Sequence, residues 1–294
     1  MVRANGIRFR ALVDGPAAGA LVVFLHGFPE GAESWTKQVD AVARAGGLAV
    51  APDMRGYGLS DAPPRVEDYA IGPLVEDVAG IIKAFGRTAA HVVGHDWGAI
   101  VAWFFAGRHP GMTTTLTALS VAHPAALAEA SRVDEDQRTR SRYVALFLQE
   151  GKAEEVLGDD EYRRLRAMFA LGPNPGAVPA AIVDHFTRSL SRPGRLTAAL
   201  NYYRANLSAG GGAWAALARE LDITTPTTLL WGDSDPALGR LAVESTAKHV
   251  NGPYKLEVLP GAGHWLQFER PDEVSRSITL ALAPAGGGGP EHGR

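Results

Sequence analysis

The sequence contains no cysteine and carries little net charge. Without cysteine the chain has no disulfide, no thiolate nucleophile and no cysteine-ligated metal. The formal net charge is -3, so no electrostatic attraction favours nucleic acid or an anionic membrane. No apolar run is long enough to cross a bilayer as a helix. We therefore expect neither nucleic acid nor membrane among the partners of this chain.

Targeting and cofactor motifs are also missing. The residues Met1–Gly6 lack the apolar core of a signal peptide, so a cytoplasmic location is expected. His91 and His95 are four residues apart, but they fall on a predicted strand, where this spacing does not converge on a metal. No dinucleotide or phosphate-loop glycine motif stands out. We expect neither a metal nor an organic cofactor.

The composition is typical of a soluble globular protein. The chain has 294 residues, of which 46% are hydrophobic and 21% are charged. This length suits one large domain, or a domain with an insertion, around a substantial core. Its many alanine, glycine and arginine residues are a compositional hint of a bacterial source.

The sequence is organised around a glycine-flanked aspartate. An apolar run that predicts a strand ends at Gly94, and an apolar segment at helical spacing begins at Ala99. Asp96 stands between Gly94 and Gly98, in the Gly-x-Asp-x-Gly pattern of a nucleophile elbow. A carboxylate is ionised at neutral pH, so no base is needed to activate it. The alternative is an ordinary helix cap, because aspartate is a preferred N-cap residue.

Short predicted strands alternate with predicted helices at both ends of the chain. The strands are Gly6–Val13, Leu21–Leu25, Gly47–Ala51, Thr115–Val121, Thr227–Trp231 and Tyr254–Leu259, and two of the helices are Leu74–Phe85 and Asp272–Leu282. This alternation predicts an α/β fold with a mostly parallel sheet covered by helices on both faces.

The middle of the chain has a different pattern. From Pro124 onward the segments look helical, with helices expected at Ala153–Val156 and Asp160–Ala170. We predict a helical insertion over residues 124–216 between two parts of one core, 1–123 and 217–284. The glycine-rich end, 285–294, is expected to be a flexible tail.

Two further polar clusters follow predicted strands. Asp233 and Asp235 come after Trp231, and His264 follows the last strand. The order Asp96, Asp235, His264 is nucleophile, acid, base, as in α/β-hydrolases. His264 would be the general base, and Asp235 would hold its tautomer and stabilise the imidazolium. Asp233 is the rival for the acid.

With these motifs the chain resembles the α/β-hydrolase superfamily and, within it, the epoxide hydrolases. The resemblance covers about residues 6–283 and is carried best by Gly94–Gly98 and by Gly263–Gln267. His26–Glu30 is similar to the oxyanion-loop motif of the family, in which the proline peptide is commonly cis. The resemblance implies that the backbone N–H groups of Phe28 and Trp97 form the oxyanion hole.

The family places two lid tyrosines over the nucleophile, where they protonate the epoxide oxygen. The segment Arg142–Phe147 fits the first position and implies Tyr143. Asn201-Tyr202-Tyr203-Arg204 fits the second and implies Tyr203, with Tyr202 as the alternative if the register differs by one residue. The resemblance therefore implies an α/β-hydrolase fold with a helical lid and an enzyme that opens epoxides.

The expected substrate is a small hydrophobic epoxide, and the product is a vicinal diol. We expect Phe147, Trp265 and Leu266 to bind the substrate. Other apolar candidates are Phe28, Met168, Phe186 and Trp214. A haloalkane dehalogenase is the nearest alternative, but Phe28 stands where those enzymes usually have asparagine. A non-catalytic binding protein is the remaining alternative. The expected oligomeric state is a monomer or a homodimer.

Overall fold

The computed structural model describes residues 1–208 and 212–282, and its main sheet has seven strands among them. The strands are β1 Val2–Ala4, β2 Ile7–Phe9, β3 Ala11–Asp14, β4 Leu21–Leu25, β5 Leu48–Pro52, β6 Ala90–His95, β7 Thr113–Leu119, β8 Thr227–Gly232 and β9 Tyr254–Leu259. The main sheet has the order β3-β5-β4-β6-β7-β8-β9. Only β3 runs antiparallel to its neighbour, and the other pairs are parallel. The predicted α/β-hydrolase fold is confirmed.

Helices cover this sheet and fill the stretch between β7 and β8. They are α1 Thr36–Arg44, α2 Ile71–Ala84, α3 Trp97–Arg108, α4 Pro124–Val133, α5 Glu135–Arg140, α6 Val144–Phe147, α7 Lys152–Met168, α8 Ala180–Leu190, α9 Arg195–Leu207, α10 Gly212–Arg219, α11 Arg240–Ser245, α12 Leu266–Glu269 and α13 Pro271–Leu280. The described residues between β7 and β8 form no β-strand, and α7 is interrupted at residues 159–162. In the described part of the chain, no helix is long and apolar enough to cross a membrane.

The central strands are apolar on both sides because each face of the sheet is covered. All five residues of β4 are buried, as expected for a parallel strand between two layers of helices. Val23 and Leu25 belong to the core that includes α2 and α3, whereas Val22 and Phe24 belong to the core that includes α1 and α13. Successive side chains of a strand point to opposite faces, so β4 contributes to both cores.

The predicted single strand Gly6–Val13 is wrong. β2 pairs with β1 in a small antiparallel ribbon, whereas β3 pairs with β5 in the main sheet. Arg10 lies between them: its carbonyl accepts from Asp53 N–H and so continues the pairing of β3 with β5, whereas its N–H donates to Ser60 Oγ instead of to a strand. The predicted tail, 285–294, lies outside the described residues.

Candidate active site

Asp96 occupies a sharp turn between β6 and α3. Its φ of 51° and ψ of -121° lie outside the regions that non-glycine residues ordinarily adopt. A Cβ atom added at Gly94 would lie 2.3 Å from the Gly98 carbonyl oxygen, and one added at Gly98 would lie 2.0 Å from that of Leu25. The flanking glycines are therefore required by close backbone approach. The turn puts Asp96 at the carboxyl edge of the parallel strands, where α/β sheets build their sites.

The carboxylate of Asp96 is buried but well supported. Phe28 N–H donates to Asp96 Oδ1 at 2.9 Å. Burial alone would raise the pKa of Asp96, but nearby His264 and His95 and the Phe28 N–H together hold it below its ordinary value. Asp96 is thus ionised at neutral pH. Phe28 lies on the loop after β4, and its peptide bond to Pro29 is cis, as the resemblance implied.

The structure brings Asp235, and not Asp233, to His264. His264 Nδ1 lies 2.9 Å from Asp235 Oδ2, and Asp235 is only 1% exposed. Asp235 Oδ1 accepts from the N–H groups of Ala237 and Leu238, at 2.7 and 3.0 Å. Asp233 is exposed, and its carboxylate accepts from Gly261 N–H. The side chain able to orient the imidazole is therefore that of Asp235.

The second ring nitrogen of His264 faces the carboxylate of Asp96. Nε2 of His264 lies 3.6 Å from Asp96 Oδ2, beyond ordinary hydrogen-bonding distance. Burial alone would lower the pKa of His264, but the carboxylates of Asp235 and Asp96 outweigh it and raise the pKa well above 6.5. In the resting site, the imidazolium form is thus favoured while Asp96 is a carboxylate.

Tyr143 and Tyr203 both line the cavity that contains Asp96. Tyr143 ends the turn Ser141–Tyr143, Tyr203 lies on α9, and their ring centroids are 6.3 Å apart. Burial and nearby groups that include Asp96 raise the pKa of both phenols, although Tyr143 as a residue is 36% exposed. Both hydroxyls therefore keep their protons at neutral pH. Tyr202 instead lies in the core and donates to the Arg55 carbonyl oxygen at 2.8 Å.

A cavity of about 290 Å³ lies over Asp96 and His264. Its apolar lining consists of Phe28, Leu146, Phe147, Val156, Leu157, Met168, Leu171, Pro236, Ala237 and Trp265. A second cavity of about 300 Å³ shares Asp96, Tyr143 and Tyr203 with it. The apolar side chains of this second cavity include Trp97, Ile100, Val121, Leu127, Val144, Leu207, Trp214 and Leu238. Both volumes are at the lower limit of small-molecule sites.

The predicted substrate contacts are partly corrected by the cavity lining. Phe147, Trp265, Met168 and Trp214 line one of the two cavities. Leu266 does not, because it is fully buried in the core that includes α1 and α13. Phe186 also lies outside both linings, in a separate cluster with Phe169 and Trp265. Among residues 1–208 and 212–282, no group of three or more acidic or histidine side chains is placed to hold a metal.

Known proteins are similar to this chain in sequence and in fold. The family model for the α/β-hydrolase fold matches residues 20–271. The chain is 37% identical to Epoxide hydrolase 3 of Xenopus tropicalis over 93% of this chain and 74% of that protein. It is 35% identical to Epoxide hydrolase A of Mycobacterium tuberculosis over 95% of both. The crystal structure of Epoxide Hydrolase A from Mycobacterium thermoresistibile superposes with a TM-score of 0.82, at 34% identity over 96% of both chains. The chain belongs to the epoxide hydrolase family of α/β-hydrolases.

This epoxide hydrolase also contains a buried polar network that the sequence analysis missed. Glu30 accepts from His95 Nδ1 at 2.8 Å, from Gly27 N–H at 2.9 Å and from Gln267 Nε2 at 2.6 Å. His95 Nε2 lies 2.9 Å from the His264 carbonyl oxygen. The network joins the 26–30 loop, the turn at Asp96 and the loop that carries His264. Only the position of Glu30 in the His26–Glu30 motif hinted at it.

Proposed function

We propose that this epoxide hydrolase opens its substrate by nucleophilic attack of Asp96. One carboxylate oxygen attacks an epoxide carbon, the carbon–oxygen bond breaks, and a hydroxyalkyl ester forms. The leaving oxygen takes a proton from Tyr143 or Tyr203, because an alkoxide is too basic to leave without one. Both phenols carry that proton at neutral pH, because burial raises their pKa.

The hydrogen bond from Phe28 supports separate roles for the two oxygens of Asp96. Oδ1 accepts from Phe28 N–H, so it is the atom that becomes the ester carbonyl and then the oxyanion. Oδ2 faces His264 and is the oxygen that bonds to the substrate. The backbone N–H of Trp97, the first residue of α3, is the second proposed donor to the oxyanion. Losing one such donor typically costs on the order of 3 kcal/mol of transition-state stabilisation.

In the second step His264 activates water. Forming the ester removes the negative charge of Asp96, which is one of the causes of the raised pKa of His264. The imidazole then loses its proton more readily; this proton passes to solvent, from which the tyrosinate of the first step is reprotonated, and the neutral imidazole can take a proton from water. The hydroxide attacks the ester carbonyl, the acyl–oxygen bond breaks, and the diol oxygen takes the proton back from the imidazolium. The carboxyl group of Asp96 then gives its proton to His264, which restores the carboxylate and the imidazolium. Asp235 orients the imidazole throughout.

The observation that carries this function is the meeting of Asp96, Tyr143 and Tyr203 at one cavity. Halide is a stable leaving anion and needs no proton, so two protonated phenols at the nucleophile favour epoxide opening over dehalogenation. The apolar lining supports a small hydrophobic epoxide. We further propose that residues 124–216 act as a lid, because Tyr143 and Tyr203 both belong to this segment.

A trapped ester would test the mechanism directly. His264→Gln removes the base but leaves Asp96 and both tyrosines in place. We expect this variant to react with styrene oxide and gain one substrate mass on the peptide that carries Asp96, as measured by mass spectrometry. Asp96→Asn is the control that gains none. The parent enzyme in oxygen-18 water should release unlabelled diol in its first turnover; immediate label in the diol would contradict a covalent step.

A further inference from the structure

Gln137 is a fully buried polar residue on α5 that lines the second cavity and contacts the loop after Asp235. It is 1% exposed. Its Nε2 donates to the Ala237 carbonyl oxygen at 3.0 Å and to Ser141 Oγ at 2.9 Å. Its Oε1 accepts from Gly239 N–H at 2.8 Å. These partners fix the orientation of the amide, because Ala237 offers an acceptor and Gly239 a donor.

One peptide plane links this amide to Asp235. The carbonyl of Ala237 and the N–H of Leu238 belong to the same rigid peptide group. Gln137 holds the oxygen of that group, and the N–H of the same group donates to Asp235 Oδ1 at 3.0 Å. A hydrogen bond to the oxygen also polarises the N–H and strengthens its donation. The orientation of the Asp235 carboxylate is therefore coupled to the Gln137 side chain.

We propose that Gln137 is a positioning residue for hydrolysis of the ester intermediate. It fixes the 235–239 loop so that Asp235 Oδ2 meets His264 Nδ1 at 2.9 Å. Arg140, on the same helix, donates to the Asp235 backbone carbonyl and holds the other end of the loop. Helix α5 thereby ties the helical segment to the acid. This inference rests on the proposed two-step mechanism.

The first test separates the two chemical steps. Gln137→Met keeps a similar side-chain volume but removes every polar contact of the amide. In single-turnover experiments with styrene oxide, we expect ester hydrolysis to slow about ten- to a hundredfold, the scale of a misplaced catalytic group. Alkylation of Asp96 should change by less than about threefold, because Asp96 is held by the elbow and Phe28. Gln149→Met is the matched control, since Gln149 is exposed and, within residues 1–208 and 212–282, its side chain bonds only to Ala145.

The second test uses pH. In Gln137→Glu, one carboxyl oxygen can still accept from Gly239, but the other faces the Ala237 carbonyl oxygen. That oxygen must carry a proton to restore the hydrogen bond, and otherwise two acceptors repel each other. We expect the hydrolysis rate of Gln137→Glu, divided by the parent rate at the same pH, to rise as the pH is lowered. The same ratio for Gln137→Met should not change with pH. A general loss of stability would not produce this difference between the two variants.

The results of these tests distinguish the positioning role of Gln137 from the proposed two-step mechanism. Folded Gln137→Met that hydrolyses the ester at the parent rate would overturn the positioning role. A fall of both steps by one common factor, with no pH-dependent recovery in Gln137→Glu, would also overturn it and indicate a structural role. Failure to trap any ester in His264→Gln would instead contradict the proposed function itself.

Discussion

Nε2 of His264 stands 3.6 Å from Oδ2 of Asp96 across the floor of the cavity. The two groups stabilise each other's charged forms: the histidine lowers the pKa of the carboxyl, and the carboxylate raises that of the imidazole. In the proposed mechanism, the same carboxylate loses its charge when the ester forms. The proposed chemistry therefore changes the protonation of its own base between the first step and the second.

We predict that Asp96→Asn lowers the pKa of His264 relative to the parent. In this variant burial still lowers the pKa of His264, but of the two carboxylates only that of Asp235 still raises it. A titration followed by NMR of the labelled imidazole would measure the change, and Asp233→Asn, at an exposed site, serves as the control. An unchanged His264 pKa in Asp96→Asn would show that the two groups are not coupled.

The second prediction concerns the acid. Asp235→Asn keeps the shape of the side chain but removes the charge that orients His264 and stabilises its imidazolium. We expect ester hydrolysis to slow by about two to four powers of ten. Asp233→Asn should stay within about threefold of the parent, because a surface substitution changes little. Transient kinetics of ester decay would measure both, and a larger effect at Asp233 would mean that the acid is misassigned.

The fold was largely predictable because its signals are local. The central strands are apolar on both faces, so β4 was expected over Leu21–Leu25 and lies there. The break at Arg10 was not predictable, because its backbone bonds to Asp53 and Ser60, more than forty residues away. Propensity within one segment carries no information about such distant partners.

The site residues also differ in how far the sequence could predict them. Asp96 and His264 stand in short glycine-containing motifs that the sequence displays directly. The choice between Tyr202 and Tyr203 depends on helix rotation, because one residue turns a side chain by about 100°. No sequence pattern indicates a role for Gln137, because its partner Gly239 is 102 residues away. Leu266 was misjudged because the chain turns into α12 immediately after Trp265.

The third prediction concerns stability in acid. Burial, with His249 nearby, lowers the pKa of folded His123 to about 3. In the unfolded chain His123 is protonated below its ordinary pKa of 6.5, whereas in the folded protein it stays neutral down to about pH 3. The free energy of unfolding therefore falls as the pH drops from about 6.5 toward 3. The slope is about 1.4 kcal/mol per pH unit.

His123→Asn should remove that part of the acid sensitivity. Asparagine can still accept from Ala125 N–H, which His123 Nδ1 now does, and it is a good helix N-cap. Between about pH 6.5 and pH 5, we expect the variant to lose up to roughly 2 kcal/mol less stability than the parent. Urea unfolding at each pH measures this, and parallel losses in both proteins would show that His123 does not titrate in this way.

The last prediction tests the two tyrosines as proton donors. Tyr143→Phe and Tyr203→Phe each keep the ring and its packing but remove the donor to the opening oxygen. We expect either change to slow alkylation of Asp96 by about two powers of ten or more, the range of general acid catalysis, and the double variant to form almost no diol. Tyr202→Phe is the matched control on α9: it loses the bond to Arg55, which should cost about 1 kcal/mol of stability but leave alkylation nearly unchanged. Stopped-flow fluorescence with excess substrate would follow alkylation, and circular dichroism would verify the fold. If the double variant alkylates at the parent rate, the two phenols only pack the cavity wall, and the proton must come from another group.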